Sequence, residues 1–236
     1  MAAKPSALYE QHLQMGPQVR MAEFAGYLMP LWFTGIAQEH AAVRRAAGLF
    51  DCTHMGVLEV AGKGAEAFLN HAMTNDVRRL AVEQAQYTYL LDDSGEIVDD
   101  LIVYRLTEDR FWVVANASNE ARVQDWLHKI LAVWKYDSAF PIALRDLRSN
   151  SAGKDRRVDI ALQGPCSKPI LERLLPPPEN LKLEAIKPFH LIVTQITGME
   201  VVVSRTGYTG SKGGYDILVH PDQVRSLWRT FLEKGR

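Results

Sequence analysis

Apolar residues recur at helical spacing most clearly in residues 119–134, where Val123, Trp126, Leu127, Ile130, Leu131 and Trp134 form one stripe and predict an amphipathic helix packed on a core. The same periodicity predicts helices at 6–14, capped by Ser6, and at 35–47, with Ile36, His40, Val43 and Ala47 on one face and Gly48 closing it. Further helices are expected at 64–72, with Ala65, Phe68 and Leu69 inward, and at 165–175, opened by Pro165. A last one carries Val224, Leu227, Trp228, Phe231 and Leu232. Short apolar runs between turn residues predict strands at 56–60, 86–91, 141–147, 158–162, 190–197, 201–205 and 217–219. Residues 17–24 read as extended, 26–30 as an apolar loop, 149–157 as a polar loop and 206–216 as a glycine-rich loop. Strands that follow one another through short turns imply antiparallel pairing, so the fold class is α+β, with antiparallel sheets flanked by helices.

The stretch 95–119, GEIVDDLIVYRLTEDRFWVVANASN, reads as a hairpin with Thr107 to Arg110 as its turn and Asn116 at the end of the return strand. Alternation puts Ile97, Asp99, Leu101 and Val103 on one face and Val98, Asp100, Ile102 and Tyr104 on the other, so the two aspartates cannot pair. Both faces are apolar, which implies that both are covered. A carboxylate held there could act as a general base or anchor a ligand N–H, or could simply cap a turn.

Composition narrows the classes. The 236 residues are 47% hydrophobic and 23% charged, with a net charge of −1, as in an ordinary globular protein. That balance gives no basic surplus for nucleic acid, and Lys154, Arg156 and Arg157 read as a solvated loop. Cys52 and Cys166 lack metal or redox spacing and fit free buried thiols in a reducing, cytoplasmic setting. Catalysis by Cys52 ranks below an inert thiol. The seven histidines lack HxH or HExxH spacing, so no metal is expected. No apolar run is long enough to suggest a membrane span. The glycine loop lacks the GxxxxGK[ST] pattern of a phosphate cradle.

An ordered set of short motifs carries a family resemblance over nearly the whole chain. It includes Leu8-Tyr9-Glu10-Gln11-His12, Phe24-Ala25-Gly26-Tyr27 with Met29-Pro30, Glu39-His40 with Val43-Arg44, and Gly48-Leu49-Phe50-Asp51 with His54-Met55-Gly56. It continues with Thr74-Asn75-Asp76, Tyr87-Thr88, Asp99-Asp100, Asn116-Ala117, Gln163-Gly164-Pro165 and Arg205-Thr206-Gly207-Tyr208-Thr209-Gly210. The set resembles the folate-binding region of the glycine cleavage T-protein family, the tetrahydrofolate-dependent aminomethyltransferases. The resemblance implies one folate-binding region over 1–236, built of two interleaved subdomains with 52–148 as the inserted one. It also implies transfer of a one-carbon unit from an aminomethylated lipoyl H-protein to tetrahydrofolate, with release of ammonia. Asp100 would then be the catalytic carboxylate, with Met55, Tyr87, Asn116, Tyr208 and Asp216 binding the folate.

Two departures qualify that expectation. Asp216 stands where the family has a glutamate, shorter by one bond of about 1.5 Å, and the glycine loop is one residue longer. The family's GLGARD-type segment and C-terminal β-barrel domain are absent from the sequence, which implies weak folate binding, poor turnover by this chain alone and an exposed apolar flank beside Val224, Trp228 and Phe231. A tetrahydrofolate-dependent demethylase of a small methylated compound, or a non-catalytic folate-binding fragment, are the alternative readings. The KGCYxGQE-type motif of the iron–sulfur assembly relatives is not present.

Overall fold

Strands joined by short turns pair with their sequence neighbours, and most of the hydrogen bonding here follows from that rule. A computed structural model describes residues 2–134, 140–178, 180, 183 and 186–235. The chain divides into two compact units, Met1–His54 with Arg157–Arg236, and Met55–Arg156.

The first unit begins with β1 (Lys4–Pro5), α1 (Tyr9–Leu13), β2 (Arg20–Phe24), β3 (Tyr27–Trp32), α2 (Ile36–Arg45) and β4 (Gly48–Asp51). Ser6 does not cap α1: its hydroxyl donates to Asp51 Oδ2 at 2.7 Å, and Leu8 takes the capping position. Of residues 26–30, expected as a loop, 27–30 belong to β3, which pairs antiparallel with β2 and parallel with β1. Ala25 and Gly26 make the turn at positive φ, and Pro30, which has no N–H to donate, sits where the register slips between Arg20 and Met21. Helix α2 buries none of its residues, and Ile36, expected inward, is 67% exposed. Its start is held instead by Glu39, whose carboxylate accepts from the Phe33, Thr34 and Gly35 N–H groups. Partial burial opposes ionisation of Glu39, but these donors outweigh it and hold the carboxyl below its ordinary range. Gly48 opens β4 rather than closing the helix.

The second unit contains β5 (Gly56–Ala61), α3 (Ala65–Ala72), β6 (Gln84–Leu91), β7 (Ile97–Thr107), β8 (Arg110–Ala115), α4 (Glu120–Val133) and β9 (Ala143–Asp146). Its sheet runs β6-β7-β8-β5-β9, antiparallel throughout, with β6-β7-β8 as the expected meander. Val123 and Leu127 of α4 and Phe68 and Leu69 of α3 bury their side chains with Leu101, Val103 and Val113 of the sheet. Each such side chain contributes roughly 1.5–3 kcal/mol when removed from water. Trp126 donates from Nε1 to the Leu91 carbonyl at 2.9 Å and fixes α4 over β6. Residues 150–155 form a 3-10 turn instead of an open loop.

The first unit resumes with β10 (Val158–Gln163), α5 (Ser167–Glu172), β11 (Leu191–Ile196), β12 (Met199–Ser204), β13 (Gly214–Val219) and α6 (Pro221–Lys234). Its larger sheet is antiparallel in the order β11-β12-β13-β10-β4. Helix α5 begins two residues after Pro165, and β13 begins three residues before the expected strand, so Asp216 lies in a strand and not in the loop. Val224, Trp228 and Phe231 form no exposed flank. They are 0%, 3% and 3% exposed and pack in one core with Ile160, Ile217 and Val203. Arg157 is buried and paired with Glu200 at 2.5 Å, because a guanidinium removed from water needs a partner. Cys166 is exposed, not buried. Among the described residues no helix is long and apolar enough to cross a membrane.

Candidate functional site

In β7 the alternation that separates the two aspartates holds from Asp99 onward. A register slip opposite Leu90 and Leu91 makes Val98 the extra residue, so Val98 joins the core and Ile97 is left 57% exposed. Asp99 lies on the core side, 1% exposed, and accepts from the Asn116 N–H at 2.8 Å, Asn116 Nδ2 at 2.9 Å and Asn119 Nδ2 at 2.6 Å. Those bonds tie the end of β8 to the start of α4. They also explain why Asn119, the first-turn flank of α4, makes no side-chain cap.

Asp100 is half-buried and points the other way. Tyr87 donates its hydroxyl to Oδ2 at 3.0 Å, and Asn116 Nδ2 donates to Oδ1 at 3.1 Å and to the Asp100 carbonyl at 3.0 Å. An ionised carboxylate has about four acceptor sites, so two donors leave capacity for a ligand N–H. Tyr87, Asp100 and Asn116 are therefore brought together as expected. Met55 is half-buried, one residue before β5, where Gly56 pairs with Ala115 beside Asn116. Tyr89 was not among the expected residues. It pairs directly with Asp100 across the ladder, is 40% exposed, and meets the Tyr87 ring edge-on at 5.4 Å. Its period-two spacing from Tyr87 was the available signal. The hydrogen bond with Tyr89, then burial and the Asp100 carboxylate, raise the Tyr87 phenol well above its ordinary value. Tyr87 therefore stays a donor at neutral pH.

Tyr208 and Asp216 belong to the first unit. Tyr208 is 66% exposed, in the glycine-rich loop. That loop closes on Gln163, which is 2% exposed, donates to the Thr206 carbonyl and accepts from the Thr209 hydroxyl. A Cβ at Gly207 or Gly214 would lie 2.3 or 2.1 Å from Gln163 Oε1, so the glycines make room for this side chain rather than for phosphate. A cavity of about 340 Å³, lined by Gln163, Phe189, Arg205, Thr206 and Lys212 among others, opens beside the loop. Asp216 is 4% exposed and accepts from the Thr206 hydroxyl at 2.5 Å. Burial pushes its carboxyl up to about 6, against the opposing effect of that hydrogen bond. Cys52 lies near Asp159, Asp216 and Asp51. Burial and then those carboxylates push its thiol well above the ordinary range, which removes the thiolate a nucleophile needs.

Comparisons with known proteins place this geometry in context. A family profile described as the GCVT N-terminal domain matches residues 8–236. The aminomethyltransferase of Prosthecochloris aestuarii is 41% identical over 98% of this chain, and that of Chlorobium luteolum is 41% identical over 99%. The chain spans 59% of the length of each of these two curated relatives. The crystal structure of the glycine cleavage system aminomethyltransferase T from Bartonella henselae is similar, with a TM-score of 0.81 and 31% identity over 98% of this chain and 57% of that one. The heterotetrameric sarcosine oxidase of Corynebacterium sp. U-96 shares the fold, with a TM-score of 0.62, at 17% identity over 98% of this chain and 93% of that one.

Proposed function

We propose, from the premise that the chain belongs to the GCVT N-terminal domain family, that it is the folate-binding part of an aminomethyltransferase of the glycine cleavage type. The donor is an aminomethyl group on the lipoyl sulfur of an H-protein, the acceptor is tetrahydrofolate, and the setting is the cytoplasm. Two C–N bonds form between the methylene carbon and the folate nitrogens, while its C–S bond and its bond to the amine break. The two folate N–H protons leave with the ammonia and the thiol.

The observation that supports this reading is the Asp100 carboxylate, held by the Tyr87 hydroxyl and the Asn116 amide with acceptor capacity left over. A folate nitrogen that attacks carbon becomes cationic, and an adjacent fixed carboxylate stabilises that charge and can take its proton. Tyr87 and Tyr89 offer aromatic surface to a flat ring, and Met55 a polarizable thioether. The test is single-turnover formation of methylenetetrahydrofolate from aminomethylated H-protein, by this chain and by its Asp100→Asn variant. Transfer by the wild type and a loss of about 100- to 10,000-fold in the variant is expected. An unchanged rate in Asp100→Asn sinks the assignment.

A further inference from the structure

A guanidinium drawn partly out of water needs a compensating charge, and several arginines of this chain follow that rule. Arg105 pairs with Glu66, Arg110 and Arg145 with Glu59, Arg148 with Glu120 and Arg157 with Glu200. Arg205, at the end of β12, is half-buried and departs from it. Its Nη1 donates to the Ile186 carbonyl at 2.8 Å, and among the described residues no carboxylate stands within ion-pair distance of it. A guanidinium has five N–H donors, so most of its hydrogen-bonding capacity is left over.

That capacity belongs to a cavity. Arg205 lines the recess of about 340 Å³ together with Lys212, which is exposed and has no ion pair among the described residues. No aspartate or glutamate among those residues lines it, so the recess holds two cations and no counter-charge. Its other lining is partly apolar, with Pro188 and Phe189 contributing. The Phe189 N–H donates to the Arg205 carbonyl at 3.0 Å and the Arg205 N–H to the His190 carbonyl at 2.9 Å, which ties this segment to the end of β12. Phe189 is held there at a φ of 59°, with its ring 43% exposed. Strained backbone of this kind concentrates at ligand sites. The volume falls within the roughly 300–1,000 Å³ of small-ligand pockets.

We propose that this recess binds a small organic anion, whose carboxylate or phosphate pairs with Arg205 and Lys212 and whose apolar body lies against Phe189 and Pro188. The planar guanidinium offers two parallel N–H groups to an oxyanion, and the lysine adds a point charge. The anion is read by side chains and not by the glycine main chain, since Gln163 already fills the space that the glycines leave. The site draws on first-unit residues alone and does not rest on the folate reading.

The experiment measures dissociation constants of benzoate, phenyl phosphate and neutral benzamide by calorimetry. It compares the wild type with Arg205→Gln, Arg205→Lys and Lys212→Glu, with folding followed by circular dichroism, and two-dimensional NMR locates the bound anion. At least one anion is expected to bind at millimolar concentration or better, benzamide at least about 10-fold more weakly, and the amide signals of Phe189, Gly207 and Lys212 to shift. The tighter of the two anions identifies the acid group. Arg205→Gln should weaken anion binding by about 10- to 100-fold, the range for a hydrogen bond to a charged group. Arg205→Lys should fall between it and the wild type, because the ammonium keeps the charge without the fork. Lys212→Glu, an exposed change that leaves the fold intact, should weaken it by about 3- to 10-fold. Should Arg205→Gln fail to fold, Lys212→Glu decides. Benzamide binding as tightly as the anions, no anion binding at millimolar concentration, shifts confined to other residues, or anion binding unchanged in Lys212→Glu would each overturn the proposal.

Discussion

Asp99 and Asp100 are adjacent, chemically identical and set in opposite environments, which gives them different consequences on substitution. Asp99 accepts three hydrogen bonds inside the core side of its sheet, so Asp99→Asn turns an N–H toward other donors and should cost about 2–3 kcal/mol of stability. Asp100→Asn keeps the half-buried position and can still accept from Tyr87 through its amide oxygen, so it should cost only about 1 kcal/mol while abolishing most transfer. Paired melting curves and single-turnover rates check the contrast, and equal melting points for the two variants would count against it. Titration separates the first unit's aspartates in the same way. Burial opposes ionisation of Asp51, but hydrogen bonds from His12 at 2.7 Å and from Ser6 outweigh it and lower its carboxyl. Its contribution is present above the unfolded value near 3.9 and disappears as pH falls through the folded one. Asp216 has the reverse sign. Raised to about 6, it favours the fold below about pH 4 and loses that contribution as pH rises through 6. Between about pH 4 and pH 6 the wild type should therefore lose stability relative to Asp216→Asn, and thermal midpoints for the two proteins that run parallel across this window would refute the assignment.

Across the second unit's sheet, strands β5, β8 and β9 are joined by more than their ladders. Glu59 on β5 is 2% exposed and accepts from Arg110 on β8, from Arg145 on β9 and from Trp112 Nε1. Burial would raise its carboxyl, yet Arg145 and Arg110 hold it below the ordinary range. Removing one partner of a buried pair typically costs about 3–5 kcal/mol, and here both arginines keep some contact with water, so Glu59→Ala should cost about 3 kcal/mol. Chemical denaturation measures this, and a loss below about 1 kcal/mol would show that the network is solvated and weak. Elements of this kind differ in how far the sequence discloses them. Helix α4, helix α6 and the β6-β7-β8 meander are written in local periodicity and turn residues. Strand β3 is hidden by Pro30 and β4 by its four-residue length, and their pairing depends on Met21 and on β10, which local patterns do not encode. The same limit applies to the candidate site. Asp100 and Asn116 follow from alternation and motif, and Tyr89 is signalled by its period-two spacing from Tyr87, while its position directly across from Asp100 becomes visible only through cross-strand register.

At the scale of the whole chain, the second unit is a continuous segment and the first is assembled from two pieces. Every ladder of the sheet β6-β7-β8-β5-β9 is made within Met55–Arg156, and its core of Leu58, Phe68, Leu101, Val113 and Leu127 is drawn from that segment alone. A segment of this length lies within the usual range for a domain, about 50–250 residues. Strands β6, β7 and β8 pair in sequence, and β5 closes on β8 and β9 without leaving the segment, so no loop has to be closed through the first unit. The first unit has no such independence, because β4 from its first piece pairs with β10 from its second. The expectation is that residues 55–156 expressed alone fold cooperatively, with a single thermal transition and dispersed amide resonances, whereas 157–236 alone does not. Asp99, Asp100, Tyr87 and Asn116 all lie in the fragment, so their hydrogen bonds should persist there, and Asp99→Asn should destabilise the fragment by about the 2–3 kcal/mol it costs the full chain. Two-dimensional NMR of the fragment, with and without that substitution, is the measurement. A collapsed spectrum for 55–156, or a folded one that ignores Asp99→Asn, would show that the geometry around Asp100 is imposed from outside the segment and not by its own sheet.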